Sequence, residues 1–253
     1  MATIFPFGEG KTEKVVFRFL IEKQFQGYSF RNFVSVGGRD NFRSEIPKTV
    51  QIDLGAGRDE IRILTFRDLD AAEQVDDVVQ SFQDIVQELL EPWRLRPSVQ
   101  QIRPNTIYKW EVSIAPGRSG LRLVLHIANH ADPGLPVPLL NQTTDGYILR
   151  VGLTDQVLHR FARESKVGST SDSLRTLITA DIPGAIKQRG IAFDEDKDYL
   201  AAYLAATRFW VVKRTEEQAR LVKIILERAW RYNQERFKQV FASWFAAIEE
   251  VVQ

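Results

Sequence analysis

The sequence predicts an α/β protein: a parallel sheet flanked by helices, followed by a mainly helical C-terminal half. Two observations predict it. Over the first 90 residues, short apolar runs such as ATIFPF and IRILTF alternate with helical patterns, as βαβ units require. After about Thr144, apolar residues recur mainly at three- and four-residue spacing, the helical period. The expected division is an α/β domain over residues 1–130 and a helical extension over 131–253 that packs on it.

The elements follow in order. ATIFPF is the first strand and Gly8 to Lys11 a tight turn. Thr12 can cap a helix from Glu13 to Lys23 with Val16, Phe19 and Leu20 on one face. FRNFVSV reads as a second strand closed by Gly37-Gly38, and Asn41 to Ile52 as a helix containing Pro47. The strand IRILTF runs into Arg67-Asp68-Leu69-Asp70. The helix after it is the clearest element, because Val75, Val78, Val79, Phe82, Ile85, Val86, Leu89 and Leu90 share one stripe. Pro92 stops it. Two more strands, IYKWEVSI and LRLVLHIA, flank the turn 116–120, and a proline-rich loop covers 132–138. At the end, Phe237, Val240, Phe241, Trp244, Phe245 and Ile248 predict one amphipathic helix that needs a partner surface.

Composition narrows the function classes. The absence of cysteine removes disulfides, zinc–thiolate sites and thiol catalysis. The segment MATIFPFGEGKTEK lacks the basic and apolar regions of a signal peptide, and no run reaches the roughly 18 apolar residues of a membrane span. The expectation is a cytoplasmic protein without a membrane partner. With 34 basic and 33 acidic residues the net charge is +1, so nucleic-acid binding would need a local patch.

Open parallel sheets bind ligands beyond the carboxyl ends of their strands. Two strands here end in acids: the first at Gly8-Glu9-Gly10, the other at Asp68-Leu69-Asp70. Neighbouring strands lie about 5 Å apart, so Glu9, Asp68 and Asp70 could converge. Like charges that close repel, and a divalent cation resolves the repulsion. Oxygen donors without Cys or His suit Mg²⁺ or Mn²⁺.

A strand running into Glu-Gly, a helix, and some sixty residues later a strand ending in Asp-x-Asp resembles the Toprim (topoisomerase–primase) domain. GEGKTEKVVFRFL together with ILTFRDLD is most similar to the small Toprim proteins related to the OLD (overcoming-lysogenization-defect) nucleases. The resemblance covers roughly residues 1–130. It implies a Rossmann-like sheet, metal ligands at Glu9, Asp68 and Asp70, a further acid at Glu13, and Mg²⁺-dependent nuclease activity on DNA or RNA. OLD nucleases carry an ATPase domain and a later lysine that find no counterpart here. An ATPase partner in trans, or a homo-oligomer, is the corresponding expectation.

Other readings compete. The acids could be solvated loop residues, with Asp70 an N-cap and Glu13 a first-turn acid favoured by the helix dipole. Gly8-Glu9-Gly10-Lys11-Thr12 resembles a P-loop, but Phe5 stands where that motif needs glycine. Lys11 and Arg39, the latter after Gly37-Gly38, are candidate substrate-phosphate contacts or plain turn residues. His126 and His130 have zinc-helix spacing but fall on a strand, where four residues span about 13 Å. A non-catalytic Toprim-fold interaction module is the main functional alternative.

Overall fold

A computed structural model of the protein describes residues 3–56, 60–113, 120–129, 142–164, 170–210 and 218–253. The chain divides into two units, one of residues 1–129 with 243–253 and one of residues 130–242.

In the first unit, β1 (Thr3–Gly8), β2 (Val34–Ser35), β3 (Ile61–Arg67), β4 (Val99–Arg103), β5 (Ile107–Ser113) and β6 (Gly120–Ile127) form one sheet in the order β2-β1-β3-β6-β5-β4. The pairs β2/β1, β1/β3 and β3/β6 are parallel, whereas β5 pairs antiparallel with β6 and with β4. The expected parallel sheet is therefore a mixed, mostly parallel one. β4 escapes the sequence pattern because all five of its residues, VQQIR, are exposed, so no apolar alternation marks it. The run FRNFVSV forms only two ladder residues, although the Arg31 amide donates to the Ile4 carbonyl and the Val36 amide to that of Gly8.

Alternation along β3 feeds two layers. On one face Ile61 and Ile63 join Phe5, Phe7, Leu121, Leu123 and Leu125. That layer is closed by the helices α2 (Phe42–Ala56) and α3 (Val75–Leu90). α2 contributes Phe42, Ile46, Val50 and Leu54, four residues apart, and Pro47 lies inside it. α3 buries Val78, Phe82, Ile85, Val86, Leu89 and Leu90, the predicted stripe.

On the other face lie α1 (Lys11–Gln24) and the C-terminal helix, here α11 (Ala242–Val252). The Trp244 ring stacks on Phe66 with centroids 3.9 Å apart and planes 13° from parallel. His126 Nε2 lies 2.9 Å from Ser243 Oγ, so this histidine is a buried strand residue that anchors the helix. His130 falls outside the described residues. Arg62 donates to the Val251 carbonyl at 2.9 Å and Arg122 to that of Glu250 at 3.3 Å. Two guanidinium groups thus meet the negative end of the helix dipole.

The second unit is helical: α4 (Thr144–Gly152), α5 (Asp155–Glu164), α6 (Ser171–Thr176), a π-helical turn at Leu177–Asp181, α7 (Ile182–Lys187), α8 (Asp196–Trp210), α9 (Gln218–Tyr232) and α10 (Gln234–Val240). The Tyr203 hydroxyl donates to the Gly152 carbonyl at 2.8 Å, and complete burial drives its phenol far above the ordinary range. Buried Asp196 accepts from the Thr143 amide and hydroxyl at 3.3 and 2.7 Å.

The single C-terminal helix expected over 237–248 is instead two helices. The turn at Phe241 (φ −89°, ψ 14°) ends α10, whose Phe237 stacks on Phe241 within the helical unit. Trp244, Phe245 and Ile248 belong to the sheet unit. The apolar period runs through the turn because both halves bury the same side of the sequence. Trp244→Ala should destabilise the protein by about 3–5 kcal/mol in urea unfolding followed by circular dichroism. A loss below about 1 kcal/mol would show that this segment does not seal the sheet.

Candidate functional site

The strand register sets what meets at the carboxyl edge. Gly8 pairs with Phe66, so one step further Glu9 comes beside Arg67, and both carry the parity of Phe5, Phe7 and Ile63. The two side chains are cross-strand neighbours on one face. Arg67 is 4% exposed, and its Nη1 donates to Glu9 Oε1 at 2.5 Å. Its Nη2 donates to both oxygens of Glu73, at 2.6 and 2.8 Å. It also donates to the Asp68 carbonyl. A guanidinium therefore bridges the tip of β1 to the turn that precedes α3.

Glu9 and the Asp68-Leu69-Asp70 turn do come together. The Asp68 amide donates to Glu9 Oε1 at 3.0 Å. Asp70 accepts through Oδ2 from Arg39 at 3.1 Å, and the same Arg39 nitrogen lies 3.2 Å from Glu73 Oε1. The Asp70 amide donates to Glu73 Oε2 at 3.1 Å. Arg39 is brought in by Gly37 and Gly38, whose φ angles of 80° and 138° few residues other than glycine tolerate.

Glu13 is buried on the first turn of α1, and its Oε2 accepts from the Gly10 amide at 2.8 Å. It closes the turn that carries Glu9, which is half of a capping box, since glycine has no side chain to return the bond. A β-carbon on Gly8 would lie 2.6 Å from Phe33 Cζ and 2.9 Å from Glu13 Cβ, so the residue before Glu9 has to be glycine. Lys11 is exposed at the same turn. A P-loop would need free amides here, whereas that of Gly10 is bound to Glu13.

Burial pushes the Glu9 carboxyl above the ordinary 4.5, with Arg67 and the Asp68 amide opposing and Glu13 adding to the rise. Among the described residues, no group of three or more His, Cys, Asp or Glu side chains is placed to hold a metal ion together. The donors fit a hard cation in kind, being carboxylates with neither cysteine nor histidine. The expected trio of Glu9, Asp68 and Asp70 is not gathered around one point: the Asp68 contact with Glu9 runs through its backbone amide, and the Asp70 carboxylate faces Arg39. Arg67 and Glu73 are not among the residues the sequence motifs single out. Parallel pairing of the two predicted strands, carried one residue past Gly8, is the signal that finds Arg67.

No family model, no curated protein and no solved structure matches this chain.

The shift at Glu9 has a consequence for stability. The folded state holds this proton more tightly than the unfolded chain, so the contribution is full below about pH 4.5 and is lost as pH rises through the raised folded value. In metal-free buffer, Glu9→Gln should flatten that decline relative to wild type in urea titrations across the acid range. Parallel profiles for the two proteins would exclude a raised carboxyl at Glu9. Arg67→Met, which leaves Glu9 and Glu73 without their buried counter-charge, should cost about 3–5 kcal/mol in the same assay.

Proposed function

We propose that this carboxyl edge is a Toprim-like site for phosphodiester hydrolysis, a nuclease centre that uses Mg²⁺ or Mn²⁺. The observation that carries the reading is the meeting of Glu9 with the Asp68-Leu69-Asp70 turn through the 3.0 Å bond from the Asp68 amide. Charge supports it. The carboxylates of Glu9, Asp40, Asp70 and Glu73 outnumber the guanidinium groups of Arg39 and Arg67 with which they pair. A divalent cation matches that excess.

Each residue has a role. Glu9, Asp68 and Asp70 would hold the cation, which when bound would supply polarisation of the phosphate and stabilisation of the leaving oxygen. Glu13 fixes the turn that aims Glu9. Arg67 ties Glu9 to Glu73 and orients both. Arg39, 47% exposed, sits on the outer side of Asp70 and Glu73, where it can exchange a carboxylate for a substrate phosphate. Lys11 is exposed on the adjacent turn and can reach the same phosphate. Nucleic acid is the substrate class this chemistry serves.

A second reading rests on Arg67 itself. Its contacts with Glu9 and Glu73 are those a cation would make, and a permanent guanidinium there would leave a Toprim-fold interaction module without catalysis.

Incubation with plasmid and with single-stranded DNA in Mg²⁺ or Mn²⁺ separates the two. The nuclease reading expects cleavage that Asp68→Ala lowers by at least about 100-fold, with Mn²⁺ binding in calorimetry weakened in parallel. Equal cleavage by both proteins, or none by either, removes it. Mn²⁺ binding that survives Asp68→Ala removes the assignment of that ligand.

A further inference from the structure

Between α1 and the chain leading into β2 the first unit carries a groove of about 410 Å³, within the roughly 300–1,000 Å³ of small-ligand clefts. One wall is α1, with Phe17, Arg18, Ile21 and Glu22. The other is the chain leading into β2, with Phe30, Arg31, Asn32 and Phe33. The groove backs onto the site already described, because Phe33 is the ring that presses on Gly8, the residue before Glu9.

Its floor is aromatic. Phe17 and Phe33 are buried, and Phe30 is half-buried with its ring presented to the groove. Phe17 holds Phe30 edge-to-face, with centroids 5.4 Å apart and planes at 83°, so the Phe30 ring is fixed in direction. Its rim is basic. Arg18 and Arg31 are exposed and have no carboxylate partner among the described residues; Arg31 lies 5.8 Å from the Phe5 ring centroid. Glu22, one turn after Arg18, is the acid on the rim. Asn32 is exposed and offers an amide that can donate and accept. By contrast, the larger groove of about 670 Å³ beside α3 mixes Arg94 and Arg96 with Asp84 and Glu91, and its Arg43 is already paired with Glu88. That groove selects no charge.

An aromatic floor with exposed arginines at its rim is the arrangement that receives an unstacked base and its flanking phosphates. We propose that this groove is a subsite for one nucleotide of single-stranded nucleic acid, its base laid on Phe30 and its phosphates on Arg18 and Arg31. Asn32 meets the base edge. A base in a duplex is stacked on both faces and cannot enter, so the subsite selects single strands. The inference rests on the nucleic-acid reading of the acidic site and narrows it to single strands.

Fluorescence anisotropy with labelled oligo-dT, oligo-U and a hairpin duplex, all in EDTA, tests binding apart from catalysis. The single strands should bind and the duplex should bind more weakly. Phe30→Ala should weaken single-strand binding about tenfold, and Phe30→Tyr should restore it. Arg18→Gln with Arg31→Gln should lower the salt slope by about 1.4, since each phosphate neutralised on a single strand contributes about 0.7. All three positions are at least partly exposed, so thermal melts of the variants should match wild type. Absence of single-strand binding, or binding that Phe30→Ala leaves unchanged, overturns the proposal. So does equal loss of duplex binding. Phe30-dependent binding without cleavage would keep the subsite and remove the nuclease reading. Cleavage of single strands that Phe30→Ala does not slow would keep the nuclease and remove the subsite.

Discussion

A buried guanidinium at the end of a central strand organises the rest of this structure. Arg67 touches two carboxylates and a carbonyl from the β1 tip and the turn into α3, at a point almost closed to solvent. Removing charges from water costs several kcal/mol per ion, and their mutual attraction repays this only when geometry and hydrogen bonds are complete. The bond therefore contributes little net stability against an apolar alternative. Its effect is on specificity: any shift of β1 against β3 by one residue would replace Glu9 opposite Arg67 with Gly8 or Gly10, and strand a buried charge.

A second guanidinium repeats the arrangement one layer out. Arg39 binds Asp70 and Glu73, but it is half exposed and reaches them from a glycine turn. Exposed pairs of this kind are worth at most about 1 kcal/mol, because water competes for both partners. Arg67 is therefore a fixed part of the site and Arg39 an exchangeable one. Glu73 takes a bond from each and couples the two layers.

The legible parts of the molecule are those where local pattern and burial agree. The stripe of α3 and the apolar runs of β1 and β3 carry their own period, and the acids after both strands stand where ligands of open sheets bind. β4 has no apolar side and gives no signal. The turn at Phe241 is hidden because Phe237 to Ile248 keep one period while burying into two different units. Arg67 is hidden for a different reason. The motif draws attention to carboxylates, while a basic residue at the end of an apolar strand reads as the strand's boundary. Only the pairing register shows that it is buried among the acids.

Gly8 is where these constraints meet, and it explains why so short a turn can bear so much. On one side of it stands the Phe33 ring, which belongs to the aromatic groove. On the other stands Glu13, whose carboxylate ties the Gly10 amide and sets the start of α1. Between them Glu9 is delivered to Arg67 with no freedom to turn away. A side chain at position 8 would have to displace a buried ring or the helix start, and either movement would carry Glu9 off its partner. Phe33, which lines the aromatic groove, therefore also limits what position 8 can carry in the turn that delivers Glu9.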